Sequence, residues 1–232
     1  MIRENLENIR KELPSDITLV AVSKFHPVEA LKEAYDAGQR VFGESRPQEF
    51  AAKAAELGGR FPGGESGECP EIEWHFIGHL QTNKLKMVLP YASLVQSIDS
   101  VHLLKAVDAW GGANGKVIDV LLEVHIGAEE TKQGFHEEEV VDLLFDADRY
   151  PNIRFCGLMG MASNTDDEET VEADFARIDA LMAYLVDLFP ELTSFRTLSI
   201  GMSGDWKIAL KHGATVVRIG TAIFGQRDYG TR

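Results

Sequence analysis

The chain has 232 residues, of which 44% are hydrophobic, and this is enough for one large domain with a buried core. The 37 acidic residues outnumber the 23 Lys and Arg residues and give a net charge of −14, which repels nucleic-acid backbones, so we expect no nucleic-acid partner. No apolar run approaches the roughly 20 residues that a membrane span requires. The charged start, MIRENLENIRKEL, is typical of an amphipathic helix and not of a signal peptide. We therefore expect a cytoplasmic protein that does not associate with membranes.

The cysteines and the acidic clusters give no indication of a metal site. Cys69 and Cys156 are far apart in the chain, which favours free thiols in a reducing compartment. His75 and His79 are four residues apart but straddle the end of a predicted strand, where that spacing does not place both side chains on one face. The acidic run 166–169 has the wrong ligand spacing for calcium and is typical of a solvated helix start.

In chain order, an N-terminal helix is followed by short apolar strands that alternate with amphipathic helices. The strands are rich in β-branched and aromatic residues and are predicted at 18–23, 40–43, 74–78, 93–97, 117–125, 154–158, 196–200 and 215–219. Helices are predicted at 27–37, 46–57, 82–90, 100–110, 136–147, 168–188 and 204–212. Ser100 and Ser203 are predicted N-caps, and the Gly/Pro-rich stretch 58–71 is predicted to be a surface loop.

Eight strands alternating with helices favour an α/β fold of the (β/α)8 TIM-barrel type, with one extra N-terminal helix. A doubly wound open sheet is the alternative. Only seven residues follow Gly225, so we predict a single barrel domain over 1–232.

Lys24 comes directly after the first predicted strand, which ends at Ser23. In TIM barrels the reacting groups lie where strands end, on the carboxyl-terminal face. A buried ammonium group is costly unless it is paired, so a lysine at this point is unusual. Desolvation in a barrel mouth makes an amine a Schiff-base nucleophile, whereas the alternative is a surface lysine just past the strand.

The segments after the seventh and eighth predicted strands combine glycines with hydroxyl side chains. They are 199–205 (SIGMSGD) and 218–225 (RIGTAIFG), and each is expected at the entry to a helix. Free backbone N–H groups and the helix dipole at such points make an anion site, and phosphate sites of TIM barrels are often built from these two loops. We therefore predict a phosphate pocket, with ordinary glycine turns as the alternative.

Arg218 is nearly the last residue of the eighth strand. It either pairs with a carboxylate on the barrel rim, such as Glu44, or points into the mouth as a permanently charged donor. A lysine after strand 1, a phosphate pocket after strands 7 and 8, and an arginine between them match the needs of pyridoxal 5'-phosphate (PLP). The lysine forms the imine, the loops hold the phosphate and the arginine donates to the pyridine nitrogen.

The chain also resembles the pyridoxal-phosphate homeostasis proteins, which are single-barrel relatives of the alanine racemase N-terminal domain. The matching segments span the chain in order: VAVSKFHPVEAL, VFGESRPQEF, WHFIGHLQTNK, LLEVHIGAEETKQGF, GLMGMA and LSIGMSGDWKIALKHGATVVRIGTAIFGQRDY. The resemblance implies that PLP is the cofactor, that Lys24 is the Schiff-base residue and that Arg218 contacts the pyridine nitrogen. It also implies that Ser203, Gly220 and Thr221 surround the phosphate, while Ser199 and Met202 line the pocket.

Two positions depart from the family pattern. The family usually has Asn, which contacts the cofactor, at the position of Ser45. A serine is shorter, so this contact is expected to be weakened, bridged by water or lost. His79 stands where the family commonly has proline.

The resemblance favours a protein that holds, buffers or delivers PLP and has no catalytic residue, with PLP-dependent apo-enzymes as candidate recipients. An arginine beside the pyridine nitrogen disfavours protonation there, which makes the cofactor a poorer electron sink. Alanine racemases add a base from a second domain; this chain is expected to lack that domain and to be a monomer. The alternative is a PLP-dependent, racemase-like enzyme whose acid/base group is one of His75, His79, Tyr35 and His125. A barrel that binds another phosphate metabolite is a third interpretation.

Overall fold

The computed structural model describes residues 1–61, 64–128 and 133–226. Its strands are β1 (Thr18–Val22), β2 (Val41–Glu44), β3 (Gly59–Phe61), β4 (Gly64–Ser66), β5 (Glu73–Phe76), β6 (Leu94–Ile98), β7 (Ile118–Val124), β8 (Ile153–Gly160), β9 (Thr197–Ser199) and β10 (Val216–Ile219). Its α-helices are α1 (Ile2–Glu12), α2 (Val28–Asp36), α3 (Pro47–Leu57), α4 (Leu85–Val88), α5 (Val101–Asn114), α6 (Glu137–Phe145), α7 (Glu168–Leu188), α8 (Trp206–Ala209) and α9 (Thr221–Phe224). Short 3-10 turns occupy Thr82–Lys84, Ala147–Arg149 and Leu210–His212.

All strands except β3 and β4 form one closed parallel barrel in the order β1-β10-β9-β8-β7-β6-β5-β2. The barrel closes because β1 pairs in parallel with β10 on one side and with β2 on the other. The predicted TIM barrel is therefore confirmed, and the alternative of an open sheet is wrong. The extra N-terminal helix is confirmed as α1, which buries Ile2, Leu6 and Ile9.

The main hydrophobic core lies between the outer face of the barrel and the helices. On one side of it, the Phe50 ring of α3 packs edge-on against the rings of Trp74 and Phe76 on β5, at centroid distances of 5.9 and 5.7 Å. These three side chains are fully buried, and burial of each large side chain contributes on the order of 1.5–3 kcal/mol to folding. This packing fixes α3 against the strands, so side chains on α3 reach the carboxyl end of the barrel at fixed positions.

The inside of the barrel carries a set of buried polar side chains toward the carboxyl ends of the strands. Burial of a polar group is unfavourable unless it is hydrogen-bonded, so we expect these side chains to be hydrogen-bonded to one another or to the backbone. The buried polar and charged residues inside the barrel are His75, Gln96, Glu123, Ser199 and Arg218, whereas buried Ser23 and Glu44 bind Lys53 of α3 on the outer side.

Part of the stretch predicted to be a loop at 58–71 is instead a β-hairpin. β3 and β4 pair antiparallel, with Gly59 opposite Ser66, so the loop prediction is wrong for these residues. The hairpin base lies against the barrel because Trp74 donates from Nε1 to the Gly58 carbonyl at 2.8 Å, and a Cβ on Gly59 would lie 2.8 Å from that same nitrogen. Main-chain pairing of this kind needs no hydrophobic periodicity, which explains why the sequence pattern did not reveal it.

Two helix boundaries test the predicted N-caps. Ser100 caps α5, since its side chain accepts a hydrogen bond from the backbone N–H of Leu103. Ser203 is not a cap, because α8 begins at Trp206 and the Ser203 hydroxyl accepts from Gly220 in the neighbouring loop. Within the described part of the chain, no helix is both long enough and apolar enough to cross a bilayer.

Candidate functional site

Lys24 lies in the turn that follows β1, half-buried and close to the exit of β10. The two strand ends lie close together. The His26 ring stacks on the ring of Phe224 in α9 at 4.9 Å, and a Cβ on Gly220 would lie 3.0 Å from the Val22 carbonyl oxygen. Because β1 and β10 are hydrogen-bonded neighbours in the barrel, the lysine and the loop after β10 lie side by side.

Arg218 is buried inside the barrel, with 4% of its surface exposed. Its Nη1 donates to both the carbonyl and the hydroxyl oxygen of Ser199, each at 2.7 Å, and its Nη2 donates to the Gly160 carbonyl at 2.9 Å. Ser199 and Gly160 are the last residues of β9 and β8, so the guanidinium lies at the carboxyl ends of the strands. The alternative of a Glu44 partner is wrong, since Glu44 binds Lys53 and Ser23 instead.

A chain of hydrogen bonds continues from Arg218 across the barrel interior. The Ser199 hydroxyl donates to Oε1 of Gln96 at 2.7 Å, and Nε2 of Gln96 lies 2.8 Å from Nδ1 of His75. An arginine can only donate, so the single Ser199 proton goes to Gln96, and the Gln96 amide then donates to His75. His75 is therefore a neutral imidazole with its proton on Nε2, and burial lowers its pKa to about 4.

Glu123 adds a carboxyl group to the same interior. Burial and the repulsion from Asp99 raise its pKa to about 7, against the attraction of Arg218. Burial lowers the pKa of Arg218 to about 10, while Glu123 and Asp205 oppose that change. A guanidinium with this pKa stays charged at neutral pH and is a fixed positive group in the barrel interior.

A hydrogen bond from the Gly220 backbone N–H to the Ser203 hydroxyl, at 3.2 Å, joins the loops after β9 and β10. Gly201 adopts a φ of +89°, and a Cβ there would lie 2.7 Å from Cβ of Ala209, so glycine is required. Asp205 shapes the same loop by accepting from the Met202 backbone N–H. α8 and α9 have only four residues each, so they have no long helix dipole, in contrast to the expectation from the sequence, and the polar groups of these loops are backbone N–H groups and hydroxyls.

The remaining predicted site residues differ in exposure and in position. Ser199 is fully buried behind Arg218, Thr221 is exposed at the start of α9, and Ser45 is half-buried directly after β2. Met202 is 39% exposed and lines a cavity of about 640 Å³ between the segments after β8 and β9, whose lining includes neither Lys24 nor Arg218.

The four groups suspected for acid/base chemistry do not form one site. His75 is buried and neutral, as described above. Tyr35 lies at the end of α2, where Arg40 stacks on its ring at 4.1 Å; Arg40 directly precedes β2, so Tyr35 is at the amino end of the barrel. His79 is half-exposed and pairs with Asp99 at 3.0 Å, while His125 follows β7 and lies next to the His136 ring.

Sequence reasoning missed several residues that the fold brings to the site. Gln96 and Glu123 are buried polar residues within apolar strands, and this interruption was the available signal. Lys53 and Glu49 lie on α3 and gave no signal, because charged residues on an amphipathic helix ordinarily face solvent. Among the described residues, no group of three or more His, Cys, Asp or Glu side chains is arranged to hold a metal ion.

Comparison with known proteins shows the family to which the chain belongs. Residues 1–228 match the alanine racemase N-terminal domain family. The chain is 38% identical to a pyridoxal phosphate homeostasis protein of Vibrio alginolyticus over 98% of each chain, and 35% identical to that of Escherichia coli over 100% of this chain and 99% of the other.

The fold is also similar to that of a solved structure. PipY of Synechococcus elongatus, determined with PLP bound, is 35% identical and superposes with a TM-score of 0.87 over 97% of this chain and 100% of PipY. The chain therefore belongs to the alanine racemase N-terminal domain family and, within it, to the pyridoxal phosphate homeostasis proteins.

Proposed function

We propose that this protein binds PLP at the carboxyl end of the barrel, as a Schiff base on Lys24, and holds, buffers or delivers the cofactor. The observation that carries the proposal is that β9, β10 and β1 are consecutive in the barrel and end, in that order, in the Ser203 loop, the Arg218–Gly220 segment and Lys24. The proposed phosphate pocket at Ser203, the Arg218 guanidinium and the Lys24 amine thus follow three neighbouring strands. PLP in PipY, a relative that covers the same length, supports the same ligand here.

The phosphate end of the site has suitable donors. The Ser203 hydroxyl accepts from Gly220, so its own proton is not used in that bond and is available to an anion. The Gly220 N–H and the Ser203 hydroxyl would hold the phosphate as two neighbouring donors. Thr221 is exposed next to Gly220 and supplies a further hydroxyl. Ser45, after β2, is proposed as a weaker contact on the other side of Lys24.

The pyridine end explains why we propose a carrier and not an enzyme. Arg218 stays charged, and a guanidinium beside the pyridine nitrogen disfavours a proton on it. PLP in general supplies an aldehyde for imine formation and a ring that accepts electrons, and the second property is weakened without that proton. Buried His75 is neutral and Tyr35 lies at the other end of the barrel, so neither supports racemase-like chemistry. The relatives are named homeostasis proteins, which agrees with this role.

We further propose that the protein acts as a monomer in the cytoplasm and that PLP-dependent apo-enzymes receive the cofactor. The cysteines support a reducing compartment, since Cys69 and Cys156 are both free thiols. Lys24 is half-buried, and not sealed, which agrees with a cofactor that must be released.

The test is an absorption spectrum of the purified protein with added PLP, followed by borohydride reduction and mass spectrometry of the modified peptide. We expect a red-shifted imine band and an adduct on Lys24, both absent from Lys24→Ala. Lys105→Ala, at an exposed lysine of α5, is the matched control and should bind as the wild type does. No band, or an adduct distributed over surface lysines, would contradict the proposal.

A further inference from the structure

Both residues that flank Lys24 are bound by a buried group of charged side chains. This group, here called the Lys53 cluster, consists of Glu44 at the end of β2 and of Glu49 and Lys53 on α3. Nζ of Lys53 donates to Oε1 of Glu44 and to Oε1 of Glu49, each at 2.7 Å. Lys53 and Glu44 are buried, with 6% and 0% of their side chains exposed, so these ion pairs are little screened by water.

Three hydrogen bonds run from the Lys53 cluster to the backbone and side chain next to Lys24. Lys53 donates to the Ser23 carbonyl at 2.8 Å, and the Ser23 hydroxyl donates to Glu44 at 2.7 Å. The backbone N–H of Phe25 donates to Oε1 of Glu49 at 2.7 Å. The peptide groups on both sides of Lys24 are therefore held by the same cluster.

The turn that the cluster holds is strained. Phe25 has a φ of 67°, and among the described residues it alone, apart from glycines, has a positive φ. A bulky residue in this conformation persists only when its surroundings hold it there, and such strain is concentrated at functional sites. Arg46 lies over the Phe25 ring at 4.2 Å and fixes the side chain as well.

Packing of α3 on the barrel does not require the charged side chains of the Lys53 cluster. Two carboxylates surround one ammonium, and Oε2 of Glu44 is buried without a hydrogen-bond partner. Burial raises the pKa of Glu44, although Lys53 and Ser23 oppose that change. Apolar side chains fill this type of interface at lower cost, so a buried ion pair here points to a geometric role.

We propose that Glu44, Glu49 and Lys53 are positioning residues that fix the turn at 23–25 and so aim the Lys24 amine at the PLP aldehyde. This inference rests on the proposed function. The cluster would affect imine formation separately from the binding of the phosphate and the ring, which the segments after β9 and β10 would hold.

The experiment compares the wild type with Glu49→Leu, which removes the Phe25 acceptor, and with Glu49→Gln, which keeps an oxygen at that place. Glu56→Leu is the matched control, because Glu56 is an exposed acidic residue on the same helix. Two quantities are measured on the full chain. One is the rate of imine formation on Lys24 with PLP; the other is the Kd of pyridoxamine 5'-phosphate, which has the same ring and phosphate but no aldehyde.

We expect Glu49→Leu to slow imine formation about tenfold or more, as a misplaced reacting group does, without changing the affinity for pyridoxamine 5'-phosphate. Glu49→Gln should recover most of the rate, and Glu56→Leu should equal the wild type. An unchanged rate in Glu49→Leu would overturn the proposal. An equal loss of both quantities would overturn it too, since it would show a general role in folding of the site.

Failure of the proposed function gives a different result, because the wild type itself then forms no imine. The cluster is tested in that case on the ligand-free protein, by the rate at which acetic anhydride labels Lys24 relative to the exposed Lys105. The inference requires this ratio to change in Glu49→Leu and to stay constant in Glu56→Leu. A constant ratio in both variants would exclude the positioning role.

Discussion

Arg218 binds Ser199 twice, because one guanidinium nitrogen donates at 2.7 Å to both the main-chain carbonyl and the side-chain hydroxyl of that residue. The serine thus fixes the direction of the arginine side chain from two points. The second of these bonds also starts the hydrogen-bonded chain that leads through Gln96 to His75.

Replacement of Ser199 by alanine should destabilise the protein by about 1.5–3 kcal/mol, because a charged, buried donor loses an acceptor and Gln96 loses a donor. The measurement is the free energy of unfolding in urea. Ser15→Ala, at an exposed position before β1, should stay within about 0.5 kcal/mol of the wild type. Equal effects of the two substitutions would show that the Arg218–Ser199 bond contributes nothing.

His75 should remain neutral between pH 5 and 8, since burial lowers its pKa to about 4 and Nδ1 accepts from Gln96. Imidazole ¹⁵N chemical shifts measure this directly. We expect a protonated Nε2, an unprotonated Nδ1 and no titration over that range, with the exposed His102 as the reference signal in the same spectrum. A midpoint near 6.5 for His75, or a proton on Nδ1, would contradict the direction of the hydrogen-bonded chain.

Glu123 should make stability depend on pH in a defined direction. The folded state holds a proton up to about pH 7, whereas the unfolded carboxyl releases it near 4.5. The contribution of this group to the free energy of unfolding is therefore complete below pH 4.5 and is lost as the pH rises through 7.

Glu123→Gln should accordingly gain stability relative to the wild type between pH 5 and pH 8, by on the order of 2–3 kcal/mol. Urea unfolding of the cofactor-free protein at the two pH values measures the change. Glu56→Gln, at an exposed glutamate, should differ from the wild type by the same amount at both pH values. A difference between Glu123→Gln and the wild type that does not vary with pH would refute the raised pKa.

The strain at Phe25 should appear when two substitutions that both remove the ring are compared. Phe25→Gly should be more stable than Phe25→Ala by about 1 kcal/mol, because alanine at a φ of 67° carries a steric cost that glycine avoids. Thermal or urea unfolding of both variants gives the difference. Equal stabilities, or a more stable alanine variant, would mean that the left-handed turn is not kept in solution.

Much of the fold follows from local pattern. The apolar β-branched runs predicted all eight barrel strands to within two residues at each end, because a strand buried on both faces has a short, nearly continuous hydrophobic signature. β8 begins one residue before the prediction and continues two residues beyond it, to Gly160, whose carbonyl accepts from Arg218. The β3–β4 hairpin was missed, because the pairing of main-chain atoms in a glycine-rich segment leaves no trace in side-chain periodicity.

The sequence by itself determined the family, from segments along the whole chain. It also determined the alternation of strands and helices and the positions of Lys24, Ser203 and Arg218 at or shortly after strand ends, since these depend on residues close together in the chain. Only the tertiary structure decided which partners hold them. Arg218 binds strand ends 19 and 58 residues away, and Lys53 reaches Ser23 across 30 residues, because barrel closure and helix packing bring these groups together. A charged residue on a helix, or a polar residue in a strand, has the same local sequence pattern whether it faces water or a buried partner. Its surroundings are determined by tertiary packing.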